Sequence, residues 1–245
     1  MFEYLTQHCR HRRQGLTVAI WHRRLRANVS SVRHSPDTLP EVSDIQSRLY
    51  VADFRKCVWR VSSDGKDRWR WLSKSSSDKL QCWAMSVTST HLLVTTRNPH
   101  QLLQFDSDGD ELRRVQLPNY KNLYHAVESP TGTFVVSLCN TQLRQHQVVE
   151  VNTGGEVQRQ FSGSPLLSLG WTPHVAVDSH GNILVADASN RHILLLDAHL
   201  SLRRVIIDEH QLNYEQPWRL CYREQSGQLL VGLYFDIVAF DVLCC

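Results

Sequence analysis

The sequence lacks several features that would assign it to other classes of protein. It contains no apolar run close to the roughly 18 residues that a membrane-spanning helix needs, so we predict no membrane span. The N-terminus lacks the apolar core of a secretory signal, because the short stretch of residues 15–21 is followed at once by His22, Arg23 and Arg24.

The cysteines lack a recognisable spacing. The seven of them include no CxxC pair and match neither a disulfide framework nor a zinc site, so we predict no metal and no cofactor. Reduced thiols in a cytoplasmic protein are the simplest interpretation. Cys244 and Cys245 end the printed chain, where a double cysteine can carry a prenyl group. They lack the usual polar tail, however, because residues 240–243 still resemble a strand.

Charge is unevenly distributed along the chain. The 27 basic and 24 acidic residues give a net charge of +3. Residues 1–36 hold seven Arg and one Glu, a net charge of +6, whereas the remainder holds 20 basic and 23 acidic residues, a net charge of −3. We therefore predict a basic leader over residues 1–36 and a single domain over residues 37–245. A mitochondrial transit peptide is an alternative interpretation of the leader.

A short apolar core recurs five times in the domain. The copies are residues 49–53, 92–96, 134–138, 183–187 and 229–233, and their starts lie 43, 42, 49 and 46 residues apart. A period in this range, with many β-branched residues, is typical of a four-stranded propeller blade. The sequence therefore predicts an all-β β-propeller with five recognisable blades.

The rest of each unit repeats as well. Each core is preceded by a strand pattern and a turn, and is followed by a third strand and an amphipathic fourth strand. A small or polar residue ends each third strand: Ser62, Asp106, Asn152, Asp197 and Asp241. The fifth unit stops after three strands. We expect a strand within residues 16–32 to supply the missing outer strand, and the N-terminal segment could also add a sixth blade.

The fourth unit carries the most specific motif. Its sequence PHVAVDSHGNILVADASNRHILLLD, residues 173–197, resembles an NHL repeat almost throughout, and residues 49–53 with 58–61 are a shorter match. The domain is similar to the C-terminal NHL propeller of tripartite-motif (TRIM) proteins, many of which are ubiquitin ligases. The family propellers usually have six blades. The zinc-binding cysteine and histidine patterns of a RING and B-boxes are absent from this sequence. The resemblance therefore implies the substrate-recognition part of such a system.

Two sets of residues mark a candidate binding face. In a propeller, the loops between strands two and three and between blades share one face, and binding residues usually lie on such loops. The first set precedes the third strand: Lys56, His100, His146, Arg191 and Phe235. The second set begins the first strand: Trp83, His125, His174 and Trp218, with Glu41 in the first unit. Such residues suit an acidic or phosphorylated peptide, or unpaired bases. Alternatively, they only cover the edge of the core.

Three functions are compatible with this sequence. The first is a non-catalytic scaffold that binds a protein or peptide partner. The second is RNA binding of the TRIM-NHL kind, which the negative charge of residues 37–245 disfavours. The third is a metal-dependent hydrolase or lyase propeller. It requires converging ligands, whereas Asp53 and Asp187 are matched elsewhere by Thr96, Leu138 and Leu233. We expect the two aspartates to cap turns and predict no catalytic residue.

Overall fold

The computed structural model describes residues 6–9, 16–19, 41–45, 48–52, 58–61, 68–70, 82–88, 90–96, 99–117, 121–140, 142–165, 167–172, 174–223, 226–233 and 236–242. Its first nine strands are β1 (Thr6–Cys9), β2 (Leu16–Ala19), β3 (Glu41–Ile45), β4 (Arg48–Ala52), β5 (Val58–Val61), β6 (Arg68–Arg70), β7 (Cys82–Val87), β8 (Leu92–Thr96) and β9 (Gln101–Phe105). The next seven are β10 (Glu111–Gln116), β11 (Lys121–Glu128), β12 (Phe134–Asn140), β13 (Gln145–Val151), β14 (Val157–Phe161), β15 (Gly163–Ser164) and β16 (Leu167–Ser168). The last seven are β17 (His174–Val177), β18 (Ile183–Asp187), β19 (His192–Leu196), β20 (Leu202–Ile207), β21 (Arg219–Arg223), β22 (Gln228–Gly232) and β23 (Ile237–Asp241).

These strands form successive antiparallel sheets in chain order. Four sheets have four strands each: β3 to β6, β7 to β10, β11 to β14 and β17 to β20. Each is a meander of neighbouring strands, which is the construction of a propeller blade. The predicted all-β β-propeller is therefore confirmed.

The fifth unit is shorter than the four blades that precede it. Its sheet contains only β21, β22 and β23 among the described residues. After β23 the backbone N–H of Val242 donates to Gly227 O at 2.8 Å, which ties the chain back to the turn before β22. A fifth unit that ends after three strands is therefore as predicted, whereas the outer strand expected from residues 16–32 is not supplied by Leu16–Ala19, which pairs with β1.

The chain divides into two compact units, Met1–Arg114 and Val115–Cys245. In the first unit, β3 and β4 pack against β7. Tyr50 and Phe105 are fully buried in its core, and the Tyr50 hydroxyl donates to Ser107 O at 3.0 Å. This bond joins the second strand of one blade to the turn that follows the third strand of the next.

In the second unit, the innermost strands β11, β17 and β21 pack in succession. Every residue of β18 is buried, as is all of β19 except His192, because these middle strands are covered on both faces. The outer strands are more open: β14 exposes three of its five residues and β20 three of its six, as the amphipathic pattern of the fourth strands predicts.

The hairpin turns repeat one hydrogen-bonding pattern. Asp178 Oδ1 accepts the N–H groups of His180 and Asn182 at 3.0 and 2.7 Å. The first residue of three other turns accepts two backbone N–H groups in the same way: Asp106, Asn152 and Asp197. The predicted polar turn residues at these three positions are therefore confirmed, since a short side-chain acceptor stabilises such turns.

Several sequence predictions fall partly or wholly outside the described residues. In the leader, Leu16–Ala19 is a strand as expected, but it pairs with Thr6–Cys9 in a separate two-stranded sheet. Residues 20–40 lie outside the described part, as do Lys56, Phe235, Asp53 and the terminal Cys244–Cys245 pair. Within the described segments, no helix is long and apolar enough to cross a membrane.

Candidate functional site

Two ends of the second unit can be defined from its strand order. We call residues 129–133, 152–156, 178–182 and 197–201 the turn end, since they join the first strand of a blade to the second and the third to the fourth. We call residues 122–125, 142–147, 168–172, 187–192 and 208–219 the loop end. It contains the loops between second and third strands and between blades. The candidate residues of the second unit lie at the loop end.

The set predicted to precede the third strand has the predicted mutual alignment, although His146 lies within β13 and not before it. Its members lie two residues before Leu102, Val148 and Ile193, which pair with the fourth core residue of their own blades. The described members are His100, His146 and Arg191. His100 belongs to the first unit, where it directly precedes β9 and is partly buried.

The residues predicted to begin the first strand of each blade occupy two different register positions. His125 pairs with Ser137 and His174 pairs with Ala186, and the equivalent pair in the last blade is Arg219 with Gly232. Trp218 therefore lies one residue before the position that His125 and His174 occupy in their blades. Tyr124, and Trp83 in the first unit, are aromatic residues at the equivalent position of their own blades.

Four aromatic side chains of the loop end contact one another in a row, which we call the aromatic run: His146, Tyr124, Trp171 and Trp218. The ring centroids of Tyr124 and His146 lie 5.8 Å apart in a stacked pair. Trp171 meets Tyr124 edge-on at 6.1 Å and Trp218 edge-on at 4.7 Å. The run thus joins side chains from three successive blades. The predicted residues His146 and Trp218 form its two ends, whereas Tyr124 and Trp171 were not predicted.

Trp171 is held by the loop that follows β18. Asp187 Oδ2 accepts the N–H of Gly170 at 3.2 Å, and Ser189 Oγ accepts the N–H of Trp171 at 3.0 Å. Trp171 O in turn accepts the N–H of Ala188 at 2.9 Å. A Cβ on Gly170 would lie 2.5 Å from Ser189 Cβ, so the two loops approach too closely for a side chain there.

Asp187 and Asn190 complete this connection. Asp187 Oδ1 accepts the N–H of Asn190 at 3.2 Å, which confirms the turn-capping role expected for this aspartate. The Asn190 side-chain amide donates to Ser168 O and to Asp187 Oδ2, both at 2.8 Å. The most NHL-like segment of the sequence therefore fixes the backbone that carries Trp171.

His125 and His174 form a buried stacked pair between neighbouring innermost strands. Their ring centroids lie 3.6 Å apart with an interplanar angle of 21°. His125 Nδ1 accepts the N–H of Val175 at 3.5 Å, and His174 Nδ1 accepts the N–H of Leu220 at 3.4 Å. Burial holds the pKa of His174 well below its usual range, and the charges of His125 and Arg219 lower it further. The pair therefore connects three blades, with the His174 ring neutral.

The loop end is less cationic than the sequence suggested. Burial lowers the pKa of His146, although the charge of Asp187 opposes this effect, so the imidazole is neutral near pH 7. Arg191 Nη1 lies 3.9 Å from Glu209 Oε2. Burial, and secondly Cys139, raise the pKa of Tyr124 to about 12, so its hydroxyl keeps its proton.

Several buried polar atoms of the loop end have no hydrogen-bond partner within the described part of the chain. They are His146 Nδ1, Gln147 Oε1, Thr172 Oγ1, Arg191 Nε and His192 Nδ1. Gln147 and Thr172 are almost completely buried. Buried polar groups nearly always have partners, so these atoms are exceptions among the described residues. Among the described residues, no group of three or more His, Cys, Asp and Glu side chains could hold a metal ion.

No family model matches the sequence, and neither does any curated protein. Solved structures resemble the fold, and three of them serve as examples. A chain of a nidogen/laminin complex has a TM-score of 0.65 at 14% identity, covering 86% of this chain and 78% of that one. A catalytically inactive virginiamycin B lyase from Staphylococcus aureus, with quinupristin, has a TM-score of 0.62 at 11% identity, covering 84% and 66%. A streptogramin B lyase has a TM-score of 0.61 at 12% identity, covering 85% and 70%.

These similarities establish the β-propeller fold. The chain spans about two thirds of the length of the virginiamycin B lyase chain that it matches.

Proposed function

We propose that this protein is a non-catalytic binding module that holds a segment of a protein partner along the aromatic run of the second unit. The observation that carries the proposal is the contact of four aromatic side chains from three successive blades. Aromatic side chains offer a large contact area at a small entropic cost, and they dominate binding energy at protein interfaces. The loop that presents Trp171 is fixed before any ligand arrives, which reduces the cost of binding.

The contrast between the two ends of the second unit supports this location. At the turn end, side chains such as Asp178 and Asn152 cap their own turns, so the polar groups there satisfy one another. At the loop end, Leu143 and Tyr214 are exposed by 60% and 55%. Exposed large side chains of this kind suit a partner that brings apolar groups.

Charge favours an uncharged segment over the acidic or phosphorylated peptide that the sequence suggested. Residues 115–245 contain eight Arg and Lys against 12 Asp and Glu, a net charge of −4. The Arg191 guanidinium already faces Glu209, and His146 is neutral. Phosphate-rich ligands draw most of their affinity from unpaired cations, so RNA is the weaker proposal for this surface.

We further propose that the propeller is of the NHL kind and supplies substrate recognition to a ubiquitin-ligase system. The motif of residues 173–197 supports this proposal, because it contains the first three strands of one blade and Asp187 caps the turn before β19. The cytoplasmic location inferred from the scattered cysteines stays a prediction. The lyases among the similar structures support the fold, and no lyase activity is proposed from them.

Binding of the full chain to an array of random-sequence peptides tests the module. We expect a subset of peptides to bind, and Trp218→Ala to weaken this binding by at least about tenfold. Trp83→Ala is the matched control, because Trp83 occupies the same register position in the first unit. The proposed location would be wrong if peptides bound the Trp218→Ala variant as well as the parent protein. It would also be wrong if Trp83→Ala weakened binding as much as Trp218→Ala.

A further inference from the structure

The first blade boundary that the aromatic run crosses also carries a histidine hydrogen bond. Between the blades of β11 and β17, the ring centroids of Tyr124 and Trp171 lie 6.1 Å apart. Trp171 is fixed to the blade of β17, because its carbonyl oxygen accepts the N–H of Ala188 in that blade. Across the same boundary, the N–H of Val175 donates to His125 Nδ1 at 3.5 Å. Tyr124 directly precedes His125 in β11, so the ring contact and the hydrogen bond start from adjacent residues.

The boundary between β17 and β21 repeats this arrangement. The ring centroids of Trp171 and Trp218 lie 4.7 Å apart, and the N–H of Leu220 donates to His174 Nδ1 at 3.4 Å. Trp218 is fixed to the blade of β21, because its N–H donates to Gly232 O at 2.8 Å. The distance between the two indoles therefore depends on how closely β21 lies to β17, which the histidine bond helps to set.

The two histidines can accept these bonds only as neutral rings. A neutral imidazole has one accepting and one donating nitrogen, whereas a protonated imidazole only donates. Protonation would therefore place an Nδ1–H against the backbone N–H of Val175 or Leu220. Both rings are buried with their centroids 3.6 Å apart, so charges on both would also repel each other. Taking up protons thus works against both boundary contacts at once.

The groups around the pair also disfavour a charge on it. The strands that pack against β17 are β11, β12, β18 and β21. Of these, β12 and β18 place the uncharged Ser137 and Ala186 opposite the two rings. Burial holds the pKa of His174 low, and the neighbouring imidazole of β11 and Arg219 of β21 lower it further. Asp187, which ends β18, accepts hydrogen bonds from its own two loops.

Building on the proposed function, we infer that the His125–His174 pair is a pH-sensitive switch that sets the spacing of the aromatic run. At neutral pH the uncharged rings hold three blades together at the loop end, and the run is continuous. Acid breaks the two bonds, separates Tyr124, Trp171 and Trp218, and releases the bound segment. Because only the uncharged pair holds the run together, the partner binds less tightly as the pH falls.

The first test observes the run in the full chain without a ligand. Trp171→Phe and Trp218→Phe identify the indole N–H signals of two of the seven tryptophans in NMR spectra of nitrogen-labelled protein. Far-UV circular dichroism follows the fold over the same pH series. We expect both indole signals to shift as the pH falls, before the fold is lost. Signals that stay constant until the parent protein unfolds would overturn the inference.

Asparagine variants show whether the pair causes the shifts. His174→Asn keeps an oxygen acceptor at the δ position but cannot take up a proton, so the shifts should disappear or move to lower pH. His125→Asn makes the same change at the other boundary and replaces it if the first variant does not fold. His180→Asn, at an exposed turn position, is the matched control and should behave like the parent.

The second test measures peptide binding over the same pH series. The probe is an array peptide that binds the parent protein, is capped at both ends and contains no His, Asp or Glu, so its own charge stays constant. We expect the affinity of the parent to fall at least about tenfold between neutral pH and the lowest pH at which the fold persists. The affinity of His174→Asn, relative to its own value at neutral pH, should change less than about threefold.

The outcomes separate the switch from the binding module. Affinity of the parent that does not depend on pH would overturn the switch and leave the module standing. His146, at one end of the run, also titrates, so loss of the pH dependence in His146→Asn but not in His174→Asn would overturn the switch as well. If no array peptide binds at any pH, the proposed function is wrong and the inference falls with it.

Discussion

The carboxylate of Asp187 accepts the backbone N–H of Gly170 at 3.2 Å, directly before the residue whose indole lies in the middle of the aromatic run. Asp187 is fully buried, yet it ends an inner strand at the loop end rather than in the centre of the blade. Its contacts are therefore local to two loops, one of which carries Trp171. This aspartate is a positioning residue for the candidate site.

Replacing Asp187 with alanine should impair both stability and binding. Two backbone N–H groups and the Asn190 amide would lose their acceptor, so we expect unfolding to become easier by about 1–3 kcal/mol. Binding of array peptides should weaken because Trp171 is no longer held. Denaturant unfolding and peptide binding are measured in parallel. Asp197→Ala is the control: it removes a similar pair of turn contacts at the turn end and should lower stability without changing binding.

Gly170→Ala should displace the loop that carries Trp171. The new Cβ would lie 2.5 Å from Ser189 Cβ and 2.8 Å from Asp187 Oδ1, so one of the two loops must move. We expect a lower melting temperature and a change in tryptophan fluorescence. Gly154→Ala is the control, because the nearest atom to a Cβ there is Asn152 Oδ1 at 3.4 Å. If steric contact is the cause, Ser189→Gly added to Gly170→Ala should restore much of the loss. A Gly170→Ala variant identical to the parent protein would contradict this account.

The repeat could be predicted from sequence, but much of the site could not. The core residues of β18 and β19 are consecutive and apolar, so their pattern is visible without the fold. Trp171 lies between two blades in a segment that no other unit repeats, so periodicity gave no signal for it. Trp171 is placed in the run by tertiary contacts of its loop with Asp187, Ala188 and Ser189, which the sequence pattern does not show.

Strand pairing is irregular next to two of the first-strand residues, His125 and Trp83. The pairing of β11 with β12 shifts register between Lys121 and Leu123 and again between Leu123 and His125. The pairing of β7 with β8 shifts between Cys82 and Ala84. Such irregularities move residues by one position relative to a regular strand, so counting along the chain could not separate Tyr124 from His125.

Acid should destabilise the protein through the His125–His174 pair. The folded-state pKa of His174 lies well below 6.5, its usual value in an unfolded chain, so the unfolded state binds more protons below that pH. The stability contributed by the neutral ring is therefore complete above pH 6.5 and is lost progressively as the pH falls below it. Denaturant unfolding across the range from neutral to about pH 5 measures this loss. His174→Gln should flatten the dependence in that range, whereas His180→Gln, at an exposed turn position, should leave it unchanged.

Exposed apolar residues at the loop end should contribute to binding but not to folding. Leu143 is 60% exposed in the loop before β13, the strand that carries His146. Leu143→Ser removes apolar area that only a partner can bury, so we expect weaker binding of array peptides and an unfolding free energy within about 0.5 kcal/mol of the parent. Leu112→Ser is the matched control, since Leu112 is 51% exposed but lies on the outer strand β10. If both variants weaken binding alike, exposed leucines act through non-specific adhesion, and the partner does not discriminate the loop end from the sides of the blades.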